Sequence, residues 1–271
     1  MTITRFSFPT AIHFGVGARK LVAAHLLERG IRRPLIVTDR ALAALPVTAE
    51  FRGQLGSSGG LDAAVFDGVF GNPTCAQVMA GAAAYQAHRA DAVIGFGGGA
   101  ALDVAKVVGM MAVHEGDVLE YVWDHPQVRP IINELPWFVA LPTTSGTGSE
   151  VGRSSVVSEN ESHLKRTVFS PKILAKAVFA DPELTFGLPP AVTAATGLDA
   201  LTQLIEAFVS KKATAFTDAL CIDGIPRAAQ SLQRVYNDGA DAQARCQMSY
   251  AAFLGGMALA NAGLGAVHGF A

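Results

Sequence analysis

The stretch GFGGGAALDVAK, Gly95–Lys106, decides how the chain is read. Gly97-Gly98-Gly99 stand between an apolar run ending at Phe96 and a segment that spaces its apolar residues like a helix. Such a turn puts unhindered backbone amides at a helix N-terminus, which suits a phosphate. It also suits a tight strand-to-helix corner that needs glycine only for its dihedral angles. The run is not the G-x-G-x-x-G dinucleotide pattern, so the glycines alone leave both readings open.

The flanks repeat the same alternation. PLIVTD (34–39), DAAVFDGV (62–69), DAVIGFG (91–97) and WFVALPTT (137–144) read as strands. Between them, 18–30, 75–90 and 101–116 carry apolar residues at intervals of three and four, as helices covering a sheet do. DAVIGFG is apolar almost throughout, which suits a central parallel strand. Strand-helix alternation predicts a doubly wound, Rossmann-like α/β domain. After the proline-rich DPELTFGLPP, long alanine- and leucine-rich helical stretches predict an all-helical second domain. The expected division is 1–185 and 186–271.

A second polar turn follows a buried strand. LPTTSGTGSE (141–150) offers the hydroxyls of Thr143, Thr144, Ser145 and Thr147 among glycines. Two such turns after two strands of one sheet favour a nucleotide cleft over two unrelated corners. Asp39, closing PLIVTD, suits a ribose hydroxyl and would repel a 2′-phosphate; it equally suits a helix N-cap. Asp103 and Lys106 are three apart on one helix and can pair with each other.

Composition excludes several classes. Of 271 residues, 50% are apolar and 16% charged, so the chain can bury a large core. A net charge of −2 without a basic stripe gives no reason to expect a nucleic-acid partner. Apolar runs are short and glycine-broken, so no membrane span is expected. Neither is a secretory signal, given the order of residues at the start. Cys75, Cys221 and Cys246 lack metal-like spacing, which fits reduced thiols in a cytoplasm. His13, His25, His88, His114, His125 and His163 show no paired spacing, and GTGSE does not meet the G-x-S-x-G hydrolase pattern.

FPTAIHFGVGA, VTD, NPT, GGGAALDVAK, LPTTSGTGSE, SPKILAKAVFADPELTFGLPP, GLDALTQLIEA and NAGLGAVHGFA run the length of the chain. With these motifs it resembles the iron-containing (group III) alcohol dehydrogenases. The resemblance implies a nucleotide domain followed by a helical metal-binding domain, with the glycines facing a cofactor pyrophosphate. It implies NAD rather than NADP, held by Asp39, Asn72, Gly97, Gly98, Gly99, Ala100, Asp103, Thr143, Thr144, Ser145, Thr147 and Lys165. Ala100 stands where the family commonly has serine, so backbone donation remains but a hydroxyl is lost.

The resemblance also implies a divalent metal, Fe²⁺ or Zn²⁺, on an aspartate, a histidine four residues on, and two later histidines. Here Asp199 and His268 match, Gln203 replaces the second ligand, and the sequence stops at Ala271 before the last histidine. A glutamine carbonyl is a weak neutral ligand, so weakened metal binding is expected. The implied activity is hydride transfer between a nicotinamide and a small alcohol or aldehyde, in a homodimer or higher homo-oligomer. Two alternatives stand beside it. One is a relative such as glycerol dehydrogenase or dehydroquinate synthase; the other is a nucleotide-binding fragment without catalysis.

Overall fold

The computed structural model describes residues 10–270, with side chains through His268. The chain divides into two compact units.

The first unit, residues 11–143 with 153–181, is built on a sheet. Its strands are β1 (Ala11–Phe14), β2 (Pro34–Asp39), β3 (Ala64–Val69), β4 (Ala92–Gly97), β5 (Trp137–Pro142), β6 (Ser154–Ser158), β7 (Lys165–Phe169) and β8 (Ala177–Ala180). Six of them form one sheet in the order β1-β8-β5-β4-β2-β3, every pairing parallel. β6 and β7 pair separately as an antiparallel ribbon. Helices α1 (Val22–Leu27), α2 (Arg40–Ala43), α3 (Pro46–Gly59), α4 (Cys75–His88) and α5 (Gly99–Met111) connect the strands. All six residues of β4 are buried, as its unbroken apolar run requires. Phe96 stacks on Phe51 of α3 with ring centroids 5.0 Å apart, closing the core on that side.

The doubly wound parallel sheet expected from the sequence is present, with differences at its margins. The predicted helix 18–30 is a 3₁₀ turn (Ala18–Leu21) followed by the short α1. The predicted helix 101–116 begins two residues earlier and stops at Met111. β1 and β8 add a flank to the four strands read from periodicity.

The second unit comprises residues 144–152 and those from 182 onward. It contains α6 (Pro190–Phe208), α7 (Ala215–Asn237), α8 (Ala242–Ala262) and α9 (Ala266–Phe270). α6, α7 and α8 pack on one another through small side chains: Ala200, Ala207, Cys221, Ala228, Ala244 and Ala251 are fully buried. Close packing needs two glycines. A Cβ on Gly148, in the left-handed region at φ 63°, would lie 2.4 Å from the Cα of Gly256 on α8. α7 runs through Pro226. Among the described residues no helix is long and apolar enough to cross a membrane.

His25 makes the first unit sensitive to pH. The Trp137 indole N–H donates to its Nε2 at 3.2 Å. Burial above all, then the charges of Arg29 and His13, lowers its pKa from 6.5 to about 4. As pH falls from 6.5 towards 4, the unfolded chain takes a proton that the folded ring refuses, so stability declines across that window. His25→Gln keeps an acceptor for Trp137 but does not titrate. Thermal melts from pH 7 to 4 should show the variant losing roughly 1–2 kcal/mol less than the parent, after discounting for solvent screening. Parallel curves would exclude His25 as the source.

Candidate functional site

The sheet order creates a crevice. β2 leads outward to β3, whereas β4 lies on the other side of β2 and leads away to β5. Ligands of open α/β sheets bind at the carboxyl ends of strands where the order reverses in this way. A cavity of about 530 Å³ lies there, lined by Asp39, Arg40, Phe70, Gly71, Gly98 and Ala100 among others.

The three glycines at this crevice do different jobs. Gly97 is a packing residue: a Cβ on it would lie 2.6 Å from that of Ala101, where β4 turns into α5. Gly98 has φ −75° and ψ −174°, open to any residue, so no turn geometry demands glycine there. Gly98 is also the N-cap of α5, and no side chain caps that helix. The start of a 13-residue helix, whose N-cap glycine has no side chain to cap it, therefore meets the cavity. Gly99 is the first residue of α5 and Ala100 the second.

Asp39 serves the helix and the cavity together. Its Oδ1 accepts the Leu42 amide at 2.8 Å, the N-cap of α2. Its Oδ2 points towards Gly97, where a Cβ would lie 3.5 Å away. Beside it the Arg40 guanidinium lies 4.6 Å over the Phe70 ring, forming one wall.

Other positions named from the sequence have contacts of their own. Asn72 is exposed and follows the cavity-lining Gly71. Asp103 Oδ1 accepts Lys106 Nζ at 3.3 Å, and its Oδ2 accepts the Val156 amide at 3.0 Å. Lys106 also donates to the Ser154 carbonyl at 2.7 Å, so the pair ties α5 to β6. Lys165 opens β7 and is exposed. The Thr143 amide donates to the Gly97 carbonyl at 3.0 Å, joining the ends of β5 and β4.

In the second unit, Ser145 is buried and shares a 2.9 Å hydrogen bond with Ser249 of α8. Thr147 Oγ1 accepts the Ser149 amide at 3.2 Å, and Thr144 is half-buried. The Ser145 hydroxyl thus holds the loop to α8, and that of Thr147 braces the loop itself.

The same unit gathers a second polar cluster. Asp199, Gln203 and Glu206 lie at i, i+4 and i+7 on one face of α6. His268 of α9 reaches this face: its Nε2 is 3.0 Å from Asp199 Oδ1, and its Nδ1 hydrogen-bonds Glu206 Oε2. Gln203 Nε2 donates to Asp199 Oδ2 at 3.1 Å. Glu206 is 6% exposed, and sequence reading passed over it. Burial works to raise its pKa, but hydrogen bonds from the Gly265 backbone and from His268 hold it below the ordinary carboxylate range. Its signal in the sequence was the third polar residue of a stripe on an otherwise apolar helix.

These donors fit a cation in part. A neutral imidazole has one N–H, and between two carboxylates it leaves one N···O contact to be bridged by a proton or a cation. Gln203 Oε1 is buried without a hydrogen-bond partner, and the amide turns its nitrogen, not its oxygen, to Asp199. Rotating the amide would exchange the two ends. Among the described residues no three His, Cys, Asp or Glu side chains converge as ligands. The set is therefore two strong donors, Asp199 and His268, and one neutral one.

Comparison with known proteins agrees with both halves of the chain. Residues 9–182 match the family described as iron-containing alcohol dehydrogenase, and residues 193–271 match its C-terminal part, described as Fe-containing alcohol dehydrogenase family, C-terminal. Alcohol dehydrogenase 4 of Saccharomyces cerevisiae (strain YJM789) is 37% identical over 270 residues, covering 100% of this chain and 69% of the relative. A crystal structure of 1,3-propanediol oxidoreductase superposes with a TM-score of 0.92 at 36% identity, covering 98% of this chain and 69% of that one. Sulfoacetaldehyde reductase from Bifidobacterium kashiwanohense, crystallised with NAD⁺, gives 0.89 at 26% identity, covering 99% and 70%. With both family profiles matched along its length, the chain belongs to the iron-containing alcohol dehydrogenase family.

Proposed function

We propose that this chain carries the NAD-binding and metal-binding parts of a dehydrogenase that exchanges a hydride between nicotinamide and a small alcohol or aldehyde. The observation that carries the reading is the uncapped α5 N-terminus at the β2/β4 crevice, with Gly98 free of any conformational need to be glycine. The amides there offer a pyrophosphate both hydrogen bonds and the positive end of the helix dipole. Asp39 Oδ2 would take a ribose hydroxyl while Oδ1 keeps α2 capped. Bound NAD supplies the hydride acceptor.

Asp199 and His268 would hold the metal, with Gln203 as a weak third donor, and a divalent ion there supplies Lewis acidity at the substrate oxygen. Fe²⁺ and Zn²⁺ both suit a carboxylate with an imidazole. Titration of the protein with NAD by fluorescence, and NADH formation from a panel of primary alcohols with added Fe²⁺ or Zn²⁺, tests the reading. No NAD binding would end it. A second reading, nucleotide binding without turnover, is favoured by Gln203, whose buried oxygen finds no donor.

The carboxylate of Asp39 sets cofactor choice in this proposal. Asp39→Gly should shift the NAD/NADP preference towards NADP by about tenfold or more, since a like charge beside a 2′-phosphate costs over 1 kcal/mol at low dielectric. An unchanged ratio of binding constants would remove Asp39 from that role. Burial pushes the Cys75 and Cys221 thiols up to about 11, leaving them inert. That suits a reducing cytoplasm, and family membership suits a homodimer or larger homo-oligomer.

A further inference from the structure

We infer that Glu206 is a positioning residue that fixes the side-chain proton of His268 on Nδ1 and so turns the Nε2 lone pair to the metal. The inference rests on the metal reading proposed above. Three observations carry it. The first is the ring contact: Nδ1 faces Glu206 Oε2 while Nε2 faces Asp199 Oδ1. Both carboxylates only accept and a neutral ring has one N–H, so one contact alone can hold the proton. The buried Glu206, least screened by solvent, takes it, and the Nε2 contact to Asp199 is left for a cation. A carboxylate behind a ligating imidazole selects the tautomer and orients the ring in just this manner.

The second is the backbone. Glu206 Oε1 accepts the Val267 amide at 2.8 Å and lies 3.4 Å from that of His268, so one carboxylate holds both the ring and the chain that carries it. The third is Gly265. A Cβ there would lie 2.9 Å from Glu206 Oε1 and 3.1 Å from its Cδ, so glycine is what lets the carboxylate reach the α9 backbone. Glu206 side chain exposure is 7%, against 30% for Asp199, which places it behind the ligands and away from solvent.

Glu206→Gln separates this role from simple anchoring. The amide oxygen can still accept from Val267, but the NH₂ then faces Nδ1 and drives the proton to Nε2. Two measurements on the whole chain are needed. One is the ¹⁵N imidazole spectrum of metal-free protein, at a pH where the His268 ring is neutral, with His268→Gln to assign the signal. The other is Zn²⁺ affinity by competition with a chromogenic chelator. Glu206→Gln should move the proton from Nδ1 to Nε2 and weaken Zn²⁺ binding by about 10–100-fold.

Gly265→Ala should weaken Zn²⁺ in the same direction by a smaller factor, and it serves if Glu206→Gln folds poorly. A proton that stays on Nδ1 in the glutamine variant overturns the inference. So does unchanged affinity in a parent that binds Zn²⁺. A proton that moves in a parent that binds no Zn²⁺ upholds the tautomer assignment and overturns the metal reading instead.

Discussion

Gly98→Val is expected to weaken NAD binding by about 100-fold while leaving thermal unfolding of the protein nearly unchanged. The two halves of this expectation have separate causes. Gly98 has ordinary extended dihedral angles, φ −75° and ψ −174°, so valine imposes no backbone strain. The residue lines the cavity, so an isopropyl group there keeps a pyrophosphate off the amides of the first turn of α5. Losing two charge-assisted hydrogen bonds at roughly 1.5 kcal/mol each gives the factor. Gly97→Val is the contrasting variant. It drives a Cβ to within 2.6 Å of Ala101 and should destabilise the fold itself. Undiminished NAD affinity in Gly98→Val, measured by fluorescence titration, would make the glycine run a corner and nothing more.

That contrast shows what a linear sequence carries. The parallel sheet was legible because buried strands such as Ala92–Gly97 are continuous apolar runs, and because apolar spacing changes period between strand and helix. Flanking elements were not. β8 has four residues, and the β6–β7 ribbon mixes serine, lysine and arginine with valine, so neither presents a periodic run long enough to read. α3 was missed because its sequence holds three glycines and two serines in its second half, against helical propensity.

Site residues divide along the same line. Residues at strand ends, Asp39 and Gly98, lie together on the cavity because strand order puts them there. Residues whose partners are remote could not be read locally. Ser145 meets Ser249 across 104 residues, and Asp103 meets the Val156 amide across 53. A hydroxyl or carboxylate looks available in sequence whenever its partner is that far away. Glu206 was hidden for the opposite reason: it lies on the same helix face as two named positions, but its partners on α9 come 61 and 62 residues later.

Gln203→His is expected to tighten divalent metal binding by about 100-fold over the unsubstituted sequence. A complete set of four ligands is worth about 10–16 kcal/mol, or roughly 3 kcal/mol for each. That is about two powers of ten in affinity. Gln203 supplies little of this, since its nitrogen is spent on Asp199 and its oxygen lies buried without a donor. Turning the oxygen to a cation would mean breaking the 3.1 Å bond to Asp199, so the two demands on the amide compete. An imidazole at position 203 removes that competition. It stands four residues after Asp199 on the same face of α6 and offers a lone pair in place of an amide hydrogen. Position 203 is 3% exposed, and the side chains are close enough in volume for the helix to accept the change. Chelator competition with Zn²⁺ on both proteins measures the ratio. If the unsubstituted protein already holds one equivalent of metal against the chelator, Gln203 is a full ligand and the predicted gain disappears.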